Sequence, residues 1–196
     1  LPLLLDAAGP LRSAPVQVHA LPETLAALRQ HIFNDHIWPD FSKLPPKRPY
    51  MVLCPIETGQ SVAVNDKCIE ALPAQHNVPT IGFAVCRHAG SARWVFSGDT
   101  GPNDAFWARV NDLDVGMLVI ETAFSDDEAN LANISGHMSP AVLCHILADK
   151  AAFPIYISHT KPAESAKIMG QLKLANQNLA QPLDVRWLTT GQLLHL

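Results

Sequence analysis

The pattern of the chain changes at residue 99, and this change limits the folds that it can adopt. Before residue 99, short strand-like runs are separated by turn residues, and the runs at 81–87 and 93–96 are predicted to form a hairpin. After it, predicted helices alternate with predicted strands. Hairpins followed by alternating helices and strands favour a mixed α/β layered fold.

The individual elements are predicted from apolar spacing and from Gly and Pro breaks. A proline-rich stretch at 34–49 is expected to be a long loop, a kind of segment that is commonly functional. Further strands are predicted at 16–20, in two runs between 50 and 64, and at 67–72, 117–121, 154–158, 185–188 and 192–196; helices are predicted from Pro22 and at 104–110, 140–150 and 163–174.

Composition excludes some classes of protein. The 196 residues carry a formal net charge of −4 and no Lys/Arg cluster, which argues against non-specific nucleic-acid binding. No apolar run is long enough to cross a bilayer, so a membrane partner is not expected. The four cysteines form no Cys-x-x-Cys pair and leave the compartment open. Whether the chain forms a homodimer also stays open.

The strongest single motif is the turn around Asp99, with the sequence Ser-Gly-Asp-Thr-Gly-Pro. It places one carboxylate at the end of an apolar strand, and the flanking glycines allow a sharp turn. Such a carboxylate suits a metal site, although Asp-Thr-Gly is also a common turn sequence.

Three histidines accompany this aspartate. His76 precedes a predicted strand, and His159 ends one. Imidazole and carboxylate together suit Zn²⁺, Mn²⁺ or Fe²⁺. His137 precedes a helix and is a candidate general acid, although ordinary helix-start residues surround it. Lys161 is a candidate for contacting a substrate phosphate, with an exposed lysine as the alternative.

Several motifs in succession resemble the class II cyclic-nucleotide phosphodiesterases of the metallo-β-lactamase superfamily. The resemblance covers nearly the whole chain as a single domain. The segments that carry it are 75–83, 97–102, 121–124, 135–139 and 158–162, together with His31-Ile32-Phe33-Asn34 and Ile37-Trp38-Pro39.

The resemblance implies an αββα sandwich with two divalent metal ions at one edge, zinc first and manganese or iron as alternatives. Asp99 would bridge both metals, while His76 and His159 would each bind one. A hydroxide activated by the two metals would then attack the phosphorus of cyclic AMP, or of cyclic GMP, and give the nucleoside 5′-phosphate. His137 would assist at the phosphate.

One superfamily motif, His-x-His-x-Asp-His, does not occur in this sequence. It would precede the first residue, so we expect the chain to be the C-terminal portion of the fold, a fragment incomplete at its N-terminal side. No export signal is recognisable, and the localisation is left undecided. As written, the chain is expected to bind two metals poorly and to show little activity. Two other functions stay open, an RNA-end-processing phosphodiesterase of the same superfamily and a metal-free non-catalytic domain.

Overall fold

A computed structural model describes residues 1–88, 90–148 and 152–195. The chain divides into two compact units, Leu1–Glu57 and Thr58–Leu196. Whether they act as one domain stays a prediction. No helix among the described residues is long and apolar enough to span a membrane.

The first unit contains two parallel strands and short helices around a small apolar core. Val16 lies opposite Met51 in the strand pair. The core contains Leu5, Phe33, Phe41 and Met51. The predicted loop at 34–49, all of it described, has no helix or strand. The elements in chain order are α1 (Pro2–Ala8), a 3₁₀ turn (Gly9–Leu11), β1 (Val16–Ala20), α2 (Pro22–Ala27), a π-helical turn (Leu28–Ile32) and β2 (Met51–Pro55).

The second unit is built on a seven-stranded sheet. Its strands follow one another across the sheet in chain order, first as antiparallel hairpins and then as parallel neighbours from β6 onward. They are β3 (Ser61–Val64), β4 (Lys67–Pro73), β5 (Ile81–Cys86), β6 (Arg93–Phe96), β7 (Val115–Glu121), β8 (Ile155–Ser158) and β9 (Val185–Trp187).

The strand directions determine where the functional residues meet. Strand β4 is antiparallel to β5, and β5 is antiparallel to β6, so β4 runs the same way as β6. Because β7 and β8 are parallel to β6, the carboxyl ends of β4, β6, β7 and β8 lie at one edge of the sheet. The residues that follow these four strands are therefore brought to the same edge.

Helices cover one face of this sheet and form the main core. Apolar side chains of β7 and β8, such as Leu118 and Ile155, pack with Phe106 of α3, Leu143 of α5 and Ile168 of α6. Burying each such side chain contributes about 1.5–3 kcal/mol. The helices are α3 (Asp104–Asn111), α4 (Ala129–Ser135), α5 (Pro140–Leu147) and α6 (Ser165–Gln177), with a 3₁₀ turn at Asp126–Glu128.

Most predicted elements are found, with shifted ends. The strand predicted at 192–196 is wrong for its described residues, since 192–195 form no strand. Residue 196, the last residues of the helix predicted at 140–150 and one residue of the hairpin turn, Ala89, lie outside the described residues. Helices α1 and α4 were not predicted.

Candidate functional site

Five ionisable side chains come together at the carboxyl edge of the seven-stranded sheet. His76 follows β4, Asp99 follows β6, Glu121 ends β7 and His159 follows β8. His137 lies in the connection between α4 and α5. The four residues expected from the sequence to form the site are thus in one place, joined by Glu121.

The turn that carries Asp99 depends on its first glycine. Gly98 has a φ of +63°, and a Cβ there would lie 2.7 Å from the carbonyl oxygen of Ile81. Any other residue would clash with that backbone, so glycine is required. On the far side of Asp99, the backbone N–H of Thr100 donates to Oε1 of Glu121 at 3.0 Å. These contacts fix the backbone while the Asp99 side chain stays 40% exposed.

Asp99 faces His159 across the edge of the sheet. Its Oδ2 lies 3.7 Å from Nε2 of His159, whose side chain is 49% exposed. His159 has a φ of +55°, a left-handed conformation that is uncommon and costly for a residue other than glycine. The chain therefore holds this histidine in a strained position beside the carboxylate.

The backbone around His76 is attached to the neighbouring turn at two points. The N–H of Gln75 donates to Oγ1 of Thr100 at 2.9 Å, and the N–H of Gly101 donates to the carbonyl of Gln75 at 2.9 Å. Nδ1 of His76 donates to the carbonyl of Gly136 at 3.1 Å. Since a carbonyl only accepts, this bond fixes the tautomer and leaves Nε2 as the nitrogen that can bind a metal.

His137 forms the shortest polar contact of the site. Its Nδ1 lies 2.7 Å from Oε1 of Glu121. The carboxylate of Glu121 is 1% exposed and also accepts backbone N–H groups from Thr100, Ala123 and Met138. A buried carboxylate on one ring nitrogen orients the imidazole and leaves Nε2 to exchange a proton. The sequence motif contains Glu121, but sequence reasoning assigned it no role.

Burial shifts the pKa values of both members of this pair. It raises the pKa of Glu121 to about 7, against the opposing effect of the backbone N–H groups of Thr100, Ala123 and Met138. Burial also lowers the pKa of His137 below its ordinary value, helped by the neighbouring His76 and opposed by Asp99. Both shifts favour the uncharged forms of the two side chains.

The three imidazole rings lie in a row with His137 in the centre. Its ring centroid is 4.6 Å from that of His76, in an edge-to-face arrangement. On the other side, His137 stacks on His159 with centroids 5.4 Å apart. Phe124 closes a third side at 5.5 Å.

Lys161, the predicted phosphate contact, is engaged in local contacts. Its Nζ lies 3.0 and 3.1 Å from the two carboxylate oxygens of Glu128. The same ammonium lies 4.0 Å from the centre of the Phe124 ring. A substrate would have to compete with these two contacts, so the role of Lys161 stays a prediction.

The imidazole and carboxylate groups of the site are of the types that bind divalent metals. Two ligand atoms bound to one zinc ion at about 2.0–2.2 Å lie roughly 3–4 Å apart, which matches the 3.7 Å between Asp99 and His159. Within the described part of the chain, no three His, Cys, Asp or Glu side chains are arranged to hold one ion. The pair thus fits part of a coordination shell, because zinc sites need three or four protein ligands.

An open depression of about 260 Å³ borders His159. Its walls include the hydroxyl-bearing residues Ser158, Thr160, Thr189 and Thr190, and Trp187 at the end of β9. Trp187 is 47% exposed. This depression offers polar and aromatic surface next to the histidine row.

No family model and no curated protein matches the sequence. Several solved structures resemble it instead. Unliganded yeast PDE1 has a TM-score of 0.73 at 15% identity, over 94% of this chain and 61% of that one. The metallo-β-lactamase fold protein YhfI from Bacillus subtilis has a TM-score of 0.69 at 15% identity, over 97% and 70%. The short form of human tRNase Z has a TM-score of 0.58 at 16% identity, over 84% and 68%.

These similarities show that the chain has the metallo-β-lactamase fold, as its motifs predicted. At such identities they establish the fold alone. The chain spans less than two thirds of the length of yeast PDE1.

Proposed function

We propose that the full-length protein hydrolyses 3′,5′-cyclic nucleotides to nucleoside 5′-phosphates. The observation that carries this proposal is the Glu121–His137 pair, placed beside His76, Asp99 and His159 at one edge of the sheet. Proton transfer at a phosphate ester needs an oriented imidazole, and divalent metals need carboxylate and imidazole ligands. This edge carries both kinds of group, and its described residues offer part of a metal coordination shell.

Asp99, His76 and His159 are the residues that would hold the metals. Bound divalent ions would supply an activated water and neutralise charge on the phosphoryl oxygens. The ring of His76, fixed by the Gly136 carbonyl, is oriented in advance for such a ligand role.

His137 is the proposed proton donor to the leaving group. As water adds to phosphorus, the bond to the 3′ oxygen breaks. The 3′ oxygen takes a proton from Nε2 of His137, and the attacking water releases one proton to solvent. Glu121 accepts the Nδ1 hydrogen bond, and its carboxylate favours the protonated ring that this transfer requires, against the burial that lowers the pKa of His137. Glu121 is thus a positioning residue, acting through His137.

The depression beside His159 provides room for the rest of the nucleotide. Trp187 offers a flat aromatic surface for a base, and the threonine hydroxyls offer partners for its polar edge. Replacing Trp187 with Leu is expected to raise KM more than it lowers kcat.

An RNA-end-processing phosphodiesterase would use the same proton chemistry. It is disfavoured by the net charge of −4, because a polyanionic substrate requires a basic binding surface. A metal-free, non-catalytic domain is disfavoured because His159 is held beside a carboxylate in a costly backbone conformation, which such a domain would not require.

One assay separates these functions. The full-length protein is incubated with cyclic AMP, cyclic GMP and an RNA-end substrate, each with and without a chelator. The proposal predicts chelator-sensitive hydrolysis of a cyclic nucleotide. Hydrolysis of the RNA substrate alone, or chelator-resistant turnover, would contradict it.

A further inference from the structure

Cys68 and Cys86 face each other across two antiparallel strands. Cys68 lies near the start of β4, Cys86 ends β5, and the two residues are direct partners in the strand register. Directly opposed residues in an antiparallel pair have Cα atoms about 4.5–5.5 Å apart. Disulfides span Cα separations of about 4.4–6.8 Å. The backbone therefore holds these two cysteines at a distance that a disulfide can bridge.

The two thiols are free and differ in accessibility. Cys68 is half-buried, whereas Cys86 is buried with 4% exposure. A reagent in solution reaches Cys68 first. Cys86 then needs no access to solvent, because its reaction partner is the sulfur on the neighbouring strand.

A cation lies beside the buried sulfur. Nη1 of Arg93 donates to Sγ of Cys86 at 3.5 Å, and the same guanidinium lies 3.9 Å from Glu70. Glu70 is held in turn by Arg109, with a contact of 2.6 Å. Arg93 is thus fixed where its charge stabilises negative charge on an attacking Cys86 sulfur.

From the strand register of the two cysteines and the accessibility of Cys68, we propose that Cys68 and Cys86 form a thiol–disulfide exchange site for low-molecular-weight disulfides such as glutathione disulfide. The Cys68 thiolate attacks one sulfur of that disulfide, forming a mixed disulfide and releasing one glutathione thiolate. The Cys86 thiolate then attacks the Cys68 sulfur and releases the second. The protein loses two electrons to the reagent, and the two protons pass to the released thiolates.

The resulting bond closes a ring that contains His76. The loop between β4 and β5 carries this histidine, and the linked residues lie at the far ends of the same two strands. Closing the ring restricts the unfolded chain and raises the melting temperature. Oxidation therefore stabilises the β4–β5 hairpin, whose loop carries His76, one of the predicted metal ligands.

The test uses the intact chain, reduced and then incubated with glutathione disulfide. Peptide mapping without reduction is expected to find the 68–86 linkage, at about tenfold higher yield than in the same protein unfolded in urea, because only the fold aligns the two thiols. The melting temperature is expected to rise and to return on reduction.

Matched variants identify the order of attack. C86S is expected to stop at a stable mixed disulfide on Cys68, with no rise in melting temperature. C54S changes a cysteine of the other unit and is expected to leave the linkage intact. A linkage found only in urea, or glutathione retained on Cys68 of the wild-type protein, would overturn the proposal.

Discussion

Oε1 of Glu121 and Nδ1 of His137 lie 2.7 Å apart, which joins the end of a buried strand to the connection before α5. The carboxylate is almost completely buried and accepts three backbone N–H groups as well. Its position is therefore fixed by the sheet edge, and His137 takes its orientation from it. This contact orients His137 for the proton-donor role proposed above.

The first prediction concerns this pair in the full-length protein. H137A is expected to lower kcat by about 10²–10⁴-fold, because the leaving oxygen loses its proton donor. E121Q keeps the shape of the side chain but removes its charge, and we expect a smaller loss. Steady-state kinetics on a cyclic nucleotide measure both effects.

The double variant shows whether the two residues act as one unit. Because Glu121 works through His137, E121Q is expected to add little loss to H137A. D127N, at an exposed surface ion pair with Lys167, is the matched charge-removal control and should leave kcat unchanged. Independent, multiplying losses would show that Glu121 has a separate role.

A second prediction concerns Gly136, which has a φ of +73°. A Cβ there would lie 3.1 Å from both Cα and Nδ1 of His76. G136A is expected to lower the free energy of unfolding by about 1–2 kcal/mol from the left-handed backbone alone. It should also weaken activity by displacing His76. Urea denaturation measures the first effect.

Gly170 provides the matched control. It lies within α6, is exposed, and has open space where a Cβ would stand. G170A is expected to raise the free energy of unfolding by about 0.5–1 kcal/mol, because alanine favours a helix. Equal effects of the two substitutions would show that Gly136 is not held in the conformation described.

The sequence predicted the strand-end members of the site because their signals are local. Asp99 follows an apolar run and stands next to a glycine, and His159 ends an apolar run with a proline shortly after it. Their convergence could be expected only from the family resemblance, since it depends on β6 and β8 both running parallel to the β7 strand between them. That parallel relation is a property of the folded sheet.

The role of Glu121 could not be predicted in the same way. Within the sequence it reads as the polar end of a buried strand, and its partner His137 is 16 residues further on. Only the fold shows that its carboxylate turns back toward the helix connection. The strand predicted at 192–196 is wrong for a different reason. Its apolar residues match the pattern of a strand, but residues 192–195 do not form one.

A third prediction concerns metal binding by the 196-residue chain. Within the described residues no three His, Cys, Asp or Glu side chains are arranged to hold one ion, while Asp99 and His159 have the spacing of two ligands. Isothermal titration with Zn²⁺ is therefore expected to show weak binding, which D99A weakens further. Two tight sites on this chain would contradict the expectation.

A fourth prediction concerns Cys144 in α5. Burial raises the pKa of its thiol to about 11, so little thiolate exists at pH 8. Because the folded-state pKa is raised, the thiol stays protonated until the pH approaches that value. Alkylation with iodoacetamide, followed by peptide mapping, should modify Cys68 well before Cys144. Unfolding in urea should remove the difference, and rapid alkylation of Cys144 in the folded protein would contradict it.

The central claim is that Asp99 lies at the centre of a metal-dependent hydrolytic site. Cyclic AMP turnover by the full-length protein, compared with that of its D99A variant, tests it most directly. Because Asp99 is partly exposed and its neighbours fix the backbone, the variant should fold and melt like the wild type. We expect metal-dependent hydrolysis that D99A abolishes. Near-normal turnover by a folded D99A variant would contradict it.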